Sequence, residues 1–377
     1  MKILIAGDFC PRDRVAEALD RGDFDKVLGG VKPIIEQADY SIVNFECPVC
    51  RGDEKPIEKL GPNLKCSEKG VEAVKWAGFE CVTLANNHFL DFGKEGVEQT
   101  LETCRKHGID TVGGGLNLQN ASLVLYKEIL GKTLAIINCC EHEFSIATES
   151  TAGSNPLNPV QQYYAIKEAR KKSNYVMVVV HGGHEHYNLP STRMQETYRF
   201  FIDAGADAVV NHHQHCYSGY EFYKDKPIIY GLGNFCFDEG RKDANLWHEG
   251  YMAELDFSET VGLKVFPYVQ CEDEPTVELI QDKTQFDKDL DDLNVIIIDE
   301  KELKRIQNEY YVQSNMAARA MFDPVNLRYL KGCQRRGWLP FFYSRRYITK
   351  IFDYINCESH REKVIFNLKK YINSIYE

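Results

Sequence analysis

Val176-Met177-Val178-Val179-Val180-His181-Gly182-Gly183-His184-Glu185-His186 runs five apolar residues into an imidazole, two glycines and three further polar, titratable side chains. A short run that is apolar throughout reads as a strand covered by helices on both faces. His181 then stands at a strand end, and the glycines let the chain turn sharply behind it. The pattern recurs. Ile3-Leu4-Ile5-Ala6 leads into Gly7-Asp8, Tyr40 to Phe45 into Glu46, Cys81 to Ala85 into Asn86-Asn87-His88, and Ala208 to Val210 into Asn211-His212-His213-Gln214-His215. Asp8, Glu46, Asn87, His88, His181, His212, His213 and His215 are therefore expected together at one edge of one sheet.

Carboxylate oxygens, an Asn carbonyl and neutral imidazoles suit Zn, Mn, Fe or Ni, and a carboxylate can bridge two ions. So many ligands exceed the needs of one ion. Metal binding lowers the pKa of water and makes hydroxide available as a nucleophile near neutral pH, so the set points to a metal-dependent hydrolase.

Each residue also has a plainer reading. Asp8 after Gly7 serves equally as a turn or helix-capping residue, and Asn44 with Glu46 as a strand-end polar pair on one face. Two adjacent Asn at the end of an apolar strand are poor strand formers and call for specific partners. His213 and His215, two apart, can project the same way. It is their recurrence at successive strand ends that favours the functional reading.

The apolar runs alternate with helix-like stretches at Glu68 to Trp76, Lys94 to His107, Val160 to Lys172 and Thr192 to Ala204. Later runs pair as hairpins, Tyr217 to Tyr223 with Pro227 to Leu232 and Tyr251 to Phe257 with Leu263 to Val269. The reading is an α/β sandwich whose second sheet is the more antiparallel. Around residues 271–284 the pattern gives way to acidic and polar residues, which divides the chain into a catalytic domain, residues 1–275, and a mostly helical extension, residues 276–377, broken near Asp323-Pro324 and Trp338-Leu339-Pro340.

Length and composition agree with this division. The 377 residues exceed a usual single core, and 44% hydrophobic with 27% charged residues is an ordinary globular composition. The formal net charge of -11 argues against a surface built to neutralise a nucleic-acid backbone. The charge is uneven: residues 301–377 carry roughly eight more Lys and Arg than Asp and Glu. The basic, aromatic stretch of the tail, with Arg335, Arg336, Trp338, Phe341, Phe342, Tyr343, Arg345 and Arg346, suits an anionic polymer, a membrane surface or a protein partner; a helical cap on the acidic body with snorkelling Arg side chains is the simpler reading. Thirteen cysteines form an odd set, and the first apolar stretch is too short for a signal peptide, so a reducing cytoplasm is expected. Cys47-Pro48-Val49-Cys50 has no second pair to complete a zinc site, Cys139-Cys140 are read as incidental thiols, and Gly113-Gly114-Gly115 reads as a tight turn.

Gly7-Asp8, Asn44-Phe45-Glu46-Cys47-Pro48, Leu84-Ala85-Asn86-Asn87-His88 with Asp91 and Gly93, His181-Gly182-Gly183-His184-Glu185, Ala204-Gly205-Ala206-Asp207 with the His212 cluster, and Tyr230-Gly231-Leu232-Gly233-Asn234-Phe235 stand in this order. Together they resemble the CapA family of capsule or poly-γ-glutamate biosynthesis proteins, a branch of the calcineurin-like metallophosphoesterase superfamily, over roughly the first 270 residues.

The resemblance implies a four-layered α/β/β/α sandwich and two divalent metal ions, Mn, Fe or Zn. It assigns Asp8 and His215 to one ion, Glu46 as a bridge, and Asn87, His181 and His213 to the other, with His88 as general acid and Asp91 orienting its ring. Where many metallophosphoesterases carry a His two residues after the first Asp, this chain has Cys10, which either supplies a thiolate or leaves the first metal weak or absent. Arg12 and Arg14 are the candidates to clamp a phosphate or carboxylate. His184, Glu185, Asn44 and Asn234 complete the expected substrate contacts, with supplementary ligands as the alternative for His184 and Glu185. The implied activity is a phosphoesterase-type hydrolysis serving surface-polymer synthesis. Two rivals stay open: an amide hydrolase or transferase acting on a γ-glutamyl polymer, and a non-catalytic assembly subunit with a vestigial metal site.

Overall fold

The computed structural model describes residues 1–59, 61–239, 245–313, 327–356 and 368. Four parallel strands, β1 (Lys2–Cys10), β2 (Tyr40–Phe45), β3 (Cys81–Thr83) and β4 (Asp110–Val112), lie side by side in chain order. After a small ladder of β5 (Gly114–Gly115) with β8 (Gly153–Ser154), a second sheet follows. It contains β6 (Leu125–Ile129), β7 (Lys132–Cys140), β9 (Tyr175–His181), β10 (Ala208–His212), β11 (Tyr220–Tyr223) and β12 (Lys226–Ile229). Its spatial order is β11-β12-β10-β9-β7-β6, parallel in the middle and antiparallel at both edges. The chain then returns to the first sheet with β13 (Asn234–Phe237), β14 (Glu249–Phe257), β15 (Val261–Gln270) and β16 (Val277–Leu279). β14 pairs with the first half of β1 and β13 with its last residues.

Period-two alternation explains the layering. On one face of the first sheet Leu4, Ala6, Val43, Phe45 and Val82 pack with Val15, Leu19, Val71, Val74 and Val97 from helices Asp13–Asp20, Glu68–Ala77 and Gly93–Lys106. Ile3, Ile5 and Ile42 are equally buried on the other face, toward the second sheet. Each such side chain contributes about 1.5–3 kcal/mol by leaving water. Helices Pro159–Lys172 and Thr192–Ala204 pack on the far side of the second sheet. Helix, sheet, sheet, helix is the expected four-layered α/β/β/α order.

Local chemistry fixes the helix ends. Ser191 Oγ accepts from Met194 N (3.2 Å), and Asn158 caps Val160 N and Gln161 N with Pro159 as the first helical residue. Polar side chains tie the two sheets: His212 Nε2 meets Ala6 O at 3.0 Å, and Asn138 Oδ1 accepts from Leu84 N (3.1 Å) and Ala85 N (2.7 Å).

The first compact unit is Met1–Leu303. It runs past the division expected at residue 275: β16 pairs with β15, and helix Thr284–Ile298 buries Phe286, Leu290, Leu293 and Ile297, with Phe286 4.7 Å from the ring of Tyr217. Its acidic surface hides an amphipathic stripe. The second unit, Lys304–Glu377, contains helices Arg328–Arg335 and Arg345–Asn356, with the break at Trp338-Leu339-Pro340 between them. Arg336 stacks on Trp338, 5.4 Å from its ring centre. The break expected at Asp323-Pro324 lies outside the described residues.

Candidate metal centre

β1 reaches Asp8 through Gly7. A Cβ on Gly7 would stand 1.9 Å from Gly233 O, so glycine alone allows the chain before β13 to close on β1 here. The register shifts on both sides of Asp8, and the carboxylate is held from both sheets. Oδ1 accepts from Asn44 Nδ2 (2.7 Å) and Oδ2 from the backbone N–H of His213 (3.2 Å).

Glu46 follows β2 and is fully buried, yet neither carboxylate oxygen has a hydrogen-bond partner. Its Oε1 lies 3.5 Å from His181 Nε2 and 3.9 Å from His215 Nε2. Burial, followed by the charge of Asp8, pushes its pKa well above the usual carboxylate range. A buried anion without donors is costly unless a cation meets it.

His181 Nε2 lies 3.0 Å from Asn87 Oδ1 and 3.0 Å from His213 Nδ1. Burial, then the neighbouring imidazoles, hold His181 well below the ordinary histidine value, and burial lowers His215 to about 4. Both rings are therefore neutral at physiological pH, with lone pairs available to a metal. His213 and His215 adopt positive φ of 96° and 56°, so they converge from a strained turn rather than from the extended alternation expected; such backbone costs about 1–3 kcal/mol per residue. The ligands do not come from one sheet. Asp8, Glu46 and Asn87 leave the first sheet and His181, His213 and His215 the second, so the site is the seam between two sheets.

Two groups of ligand atoms result, Glu46 with His181 and His213, and Asp8 with Glu46 and His215, each lying within 4.8 Å of one another. Glu46 is common to both, as a bridging carboxylate must be. The donor set and the two orphaned oxygens of Glu46 fit a pair of divalent cations.

Beside this seam, His88 Nδ1 lies 2.6 Å from Asp91 Oδ2, as expected of an oriented acid. Sequence reasoning missed Lys59, whose buried ammonium pairs with Asp91 and lies 3.0 Å from His88 Nδ1. Asp91 also accepts from Leu64 N at 2.7 Å, so it anchors the irregular segment that carries Lys59.

Other expected site residues are placed differently. Cys10 belongs to neither ligand group; it is fully buried in the helix-side core, where its thiol meets that of Cys47. Strand alternation explains this, since Cys10 is two residues past Asp8 but beyond the register shift. Arg14 donates to both oxygens of Asp238 and to the carbonyls of Cys271, Glu272 and Asp273, which commits it to holding that turn. Arg12 meets Asp13 at 2.9 Å and Glu239 at 3.8 Å. The amides of Asn44 and Asn234 are buried and occupied: Asn44 by Asp8, His181 and Thr83, and Asn234 by His215 Nδ1 (2.9 Å) and the backbone of His215. They orient ligands. His184 is half-buried beside His213, and Glu185 is exposed but close enough to Glu46 to raise its pKa; among the described residues neither joins a ligand group. Cys50 is pushed up to about 12 by burial, and burial with the Cys10 and Cys66 thiols raises Cys47, so this CxxC has no ready thiolate.

Glu143 was also missed. The apolar signal for β7 fades at Ile137, but the strand continues to Cys140. Glu141-His142-Glu143 follow its true end, and the carboxylate of Glu143 reaches Asn87 and His213.

The family model described as "Bacterial capsule synthesis protein PGA_cap" matches residues 2–239. The chain is 36% identical over 248 residues to the capsule biosynthesis protein CapA of Bacillus anthracis, covering 64% of this chain and 60% of that one. It is 32% identical over 237 residues to the PGA biosynthesis protein CapA of Bacillus subtilis (strain 168), covering 62% of each. The match thus spans about three fifths of the length of these curated relatives. Among solved structures, a novel phosphatase from Mycoplasma pneumoniae aligns with a TM-score of 0.44 and 18% identity, over 72% of this chain and 95% of that one.

Proposed function

The chain belongs to the bacterial capsule synthesis protein PGA_cap family, and from that premise we propose that it is a metal-dependent hydrolase of the phosphoesterase type, acting in the synthesis of a capsule or other surface polymer of the poly-γ-glutamate kind. The observation that carries the catalytic part is Glu46, a fully buried carboxylate with two unpartnered oxygens between two neutral imidazoles. Asp8 and His215 would hold one divalent cation, Asn87, His181 and His213 the other, and Glu46 would serve both. When bound, the cations, Mn, Fe or Zn, supply Lewis-acid chemistry, polarising a phosphoryl oxygen and acidifying water.

The chain's own residues do the rest. Asn44 holds Asp8, and Asn234 holds His215, in orientation from behind. His88 protonates the departing oxygen through Nε2, with Asp91 and Lys59 fixing its Nδ1 side. Arg12, partly exposed beside the site strand, and His184 and Glu185 at the rim contact an anionic polymer or phosphoester substrate.

An amide or γ-glutamyl hydrolase or transferase is the second reading, supported by the poly-γ-glutamate relatives. A panel of phosphoesters and γ-glutamyl amides, run on protein of measured metal content, separates the two. Phosphoester turnover that falls far more than metal content in His88→Ala supports the proposal; turnover of amides alone overturns it in favour of the second reading. Fewer than about one ion per chain after supplementation overturns both and leaves an assembly subunit.

We place the protein in a reducing cytoplasm, a setting supported by the cysteines among the described residues, which are all buried and free. Among the described residues no helix is long and apolar enough to cross a membrane. The exposed Trp338 and Tyr329, set among Arg328, Lys331, Arg335 and Arg336 around a cavity of about 750 Å³, support contact of the basic tail with an anionic membrane surface or a capsule-synthesis protein.

A further inference from the structure

Glu143 touches two candidate ligands at once, at the ends opposite those that face His181. Its Oε2 accepts from Asn87 Nδ2 at 3.3 Å, and its Oε1 lies 3.3 Å from His213 Nε2. The opposite ends of the same two side chains, Asn87 Oδ1 and His213 Nδ1, each stand 3.0 Å from His181 Nε2. Asn87 follows a strand of the first sheet and His213 a strand of the second, so one carboxylate spans the seam.

This arrangement matters because both ligands are ambiguous. An Asn side chain turned end for end presents NH2, which cannot bind a cation, and a neutral imidazole carries its proton on either nitrogen. A carboxylate only accepts. It therefore selects the state in which Asn87 points its NH2 outward and its oxygen inward, and His213 keeps its proton on Nε2 and its lone pair on Nδ1. Glu141 N bonded to His181 O (3.0 Å) and Glu143 N bonded to Glu141 O (2.9 Å) fix the segment that presents the carboxylate.

We propose that Glu143 is a positioning residue for the cation held by Asn87, His181 and His213, locking the amide orientation of one ligand and the tautomer of another through a single carboxylate. The inference rests on the two-cation reading of the site. Carboxylates behind metal-binding side chains are typically worth roughly 10–100-fold in affinity.

Chelator-stripped full-length wild type, Glu143→Gln, Glu143→Ala and Glu149→Gln, each titrated with Mn2+ by calorimetry and followed by the spin-coupled signal of a Mn2+ pair, provide the test. Glu149 is an exposed carboxylate six residues along the same connection, so Glu149→Gln reports loss of a surface charge alone. The expected result is two sites in wild type, one of them weakened about 10–100-fold in both Glu143 variants, loss of the spin-coupled signal at stoichiometric Mn2+, and less than about threefold change in Glu149→Gln, a shift expected of a screened surface charge. Wild-type behaviour in both Glu143 variants, or an equal loss in Glu149→Gln, overturns the inference while leaving the two-cation reading intact. A wild type that binds less than one Mn2+ defeats that reading itself, and the inference with it.

Discussion

Replacing Glu46 by Gln should have opposite effects on the metal-free and metal-loaded protein. In the metal-free protein Glu46 is fully buried with both oxygens unpartnered, and an unsatisfied buried polar group costs about 1–3 kcal/mol, more when charged. Gln preserves the volume, removes the ionisation penalty and offers an N–H to His181 Nε2, 3.5 Å from the present Oε1. The metal-free variant should therefore be more stable by about 1–3 kcal/mol, roughly 2–6 °C in Tm for a unit of this size. With metal the order reverses. Wild type at one hundred times its Kd for the cation gains about 2.7 kcal/mol, whereas the variant has lost the anion common to both ligand groups and gains little. Thermal unfolding followed by circular dichroism, after chelation and then across a Mn2+ titration, reads both halves. A metal-free Glu46→Gln protein less stable than wild type, or one with an undiminished metal-induced shift, would refute the assignment of Glu46 as a bridge waiting for cations.

Metal binding should also be coupled to protons. Because the Glu46 pKa is raised by burial, the folded metal-free protein holds that proton more tightly than the unfolded chain, and its stabilising effect is lost as pH rises through the raised value. His215, lowered to about 4, acts in the opposite sense: its neutral form is favoured by the fold, and stability falls as pH drops from about 6.5 toward 4. Calorimetric Mn2+ titration in two buffers of different ionisation enthalpy should show proton release on binding, with affinity rising with pH; no buffer dependence at any pH would contradict the raised Glu46. Gly7→Ala should fail to accumulate as folded protein or lose about 4 kcal/mol or more, since its Cβ would meet Gly233 O at 1.9 Å, and a stable variant in a denaturant titration would show that the approach is slack. Asp238→Asn should cost about 1–3 kcal/mol in the same assay, a buried-pair loss discounted because Arg14 is about one third exposed, while Mn2+ affinity stays within about threefold; a large affinity loss would place Arg14 in the site after all.

Residues whose placement follows from strand periodicity were legible before any coordinates. His181 ends a run of apolar residues, Thr192–Ala204 has the helix expected of it, Glu46 and Asn87 follow the ends of their strands, and Asp8 stands near the end of its own, which continues to Cys10. What periodicity does not carry was not legible. Cys10 shares the expected spacing from Asp8, but a register shift turns it into the helix-side core. Arg14 looked like an anion clamp because its partners, Asp238 and residues 271–273, lie more than two hundred residues away. Lys59 sits in an irregular segment with no pattern to read, and Glu143 was hidden because Asn138-Cys139-Cys140 prolongs a strand past the end of its apolar signal. That signal fades because Asn138 is buried for a polar reason, bonding to Leu84 N and Ala85 N across the sheets.

The same cross-sheet bonds explain why such a site can exist between two sheets whose strands do not pair across the seam. Asp8, Glu46 and Asn87 ride on one sheet and the three imidazoles on the other, so sliding the sheets by even one residue would separate Glu46 from His181 and His215. Apolar packing alone resists sliding weakly, because it is non-directional. Hydrogen bonds are directional, and those at the seam are buried where losing one costs about 1–3 kcal/mol: His212 to Ala6 O, Leu84 N and Ala85 N to Asn138 Oδ1, and His213 N to the Asp8 carboxylate. Asp8 thus acts as a register pin as well as part of the site. That double duty accounts for a fully buried polar seam in an otherwise apolar interior, and for the positive-φ strain at His213 and His215, which the fold sustains because their partners in the first sheet are fixed before a cation arrives.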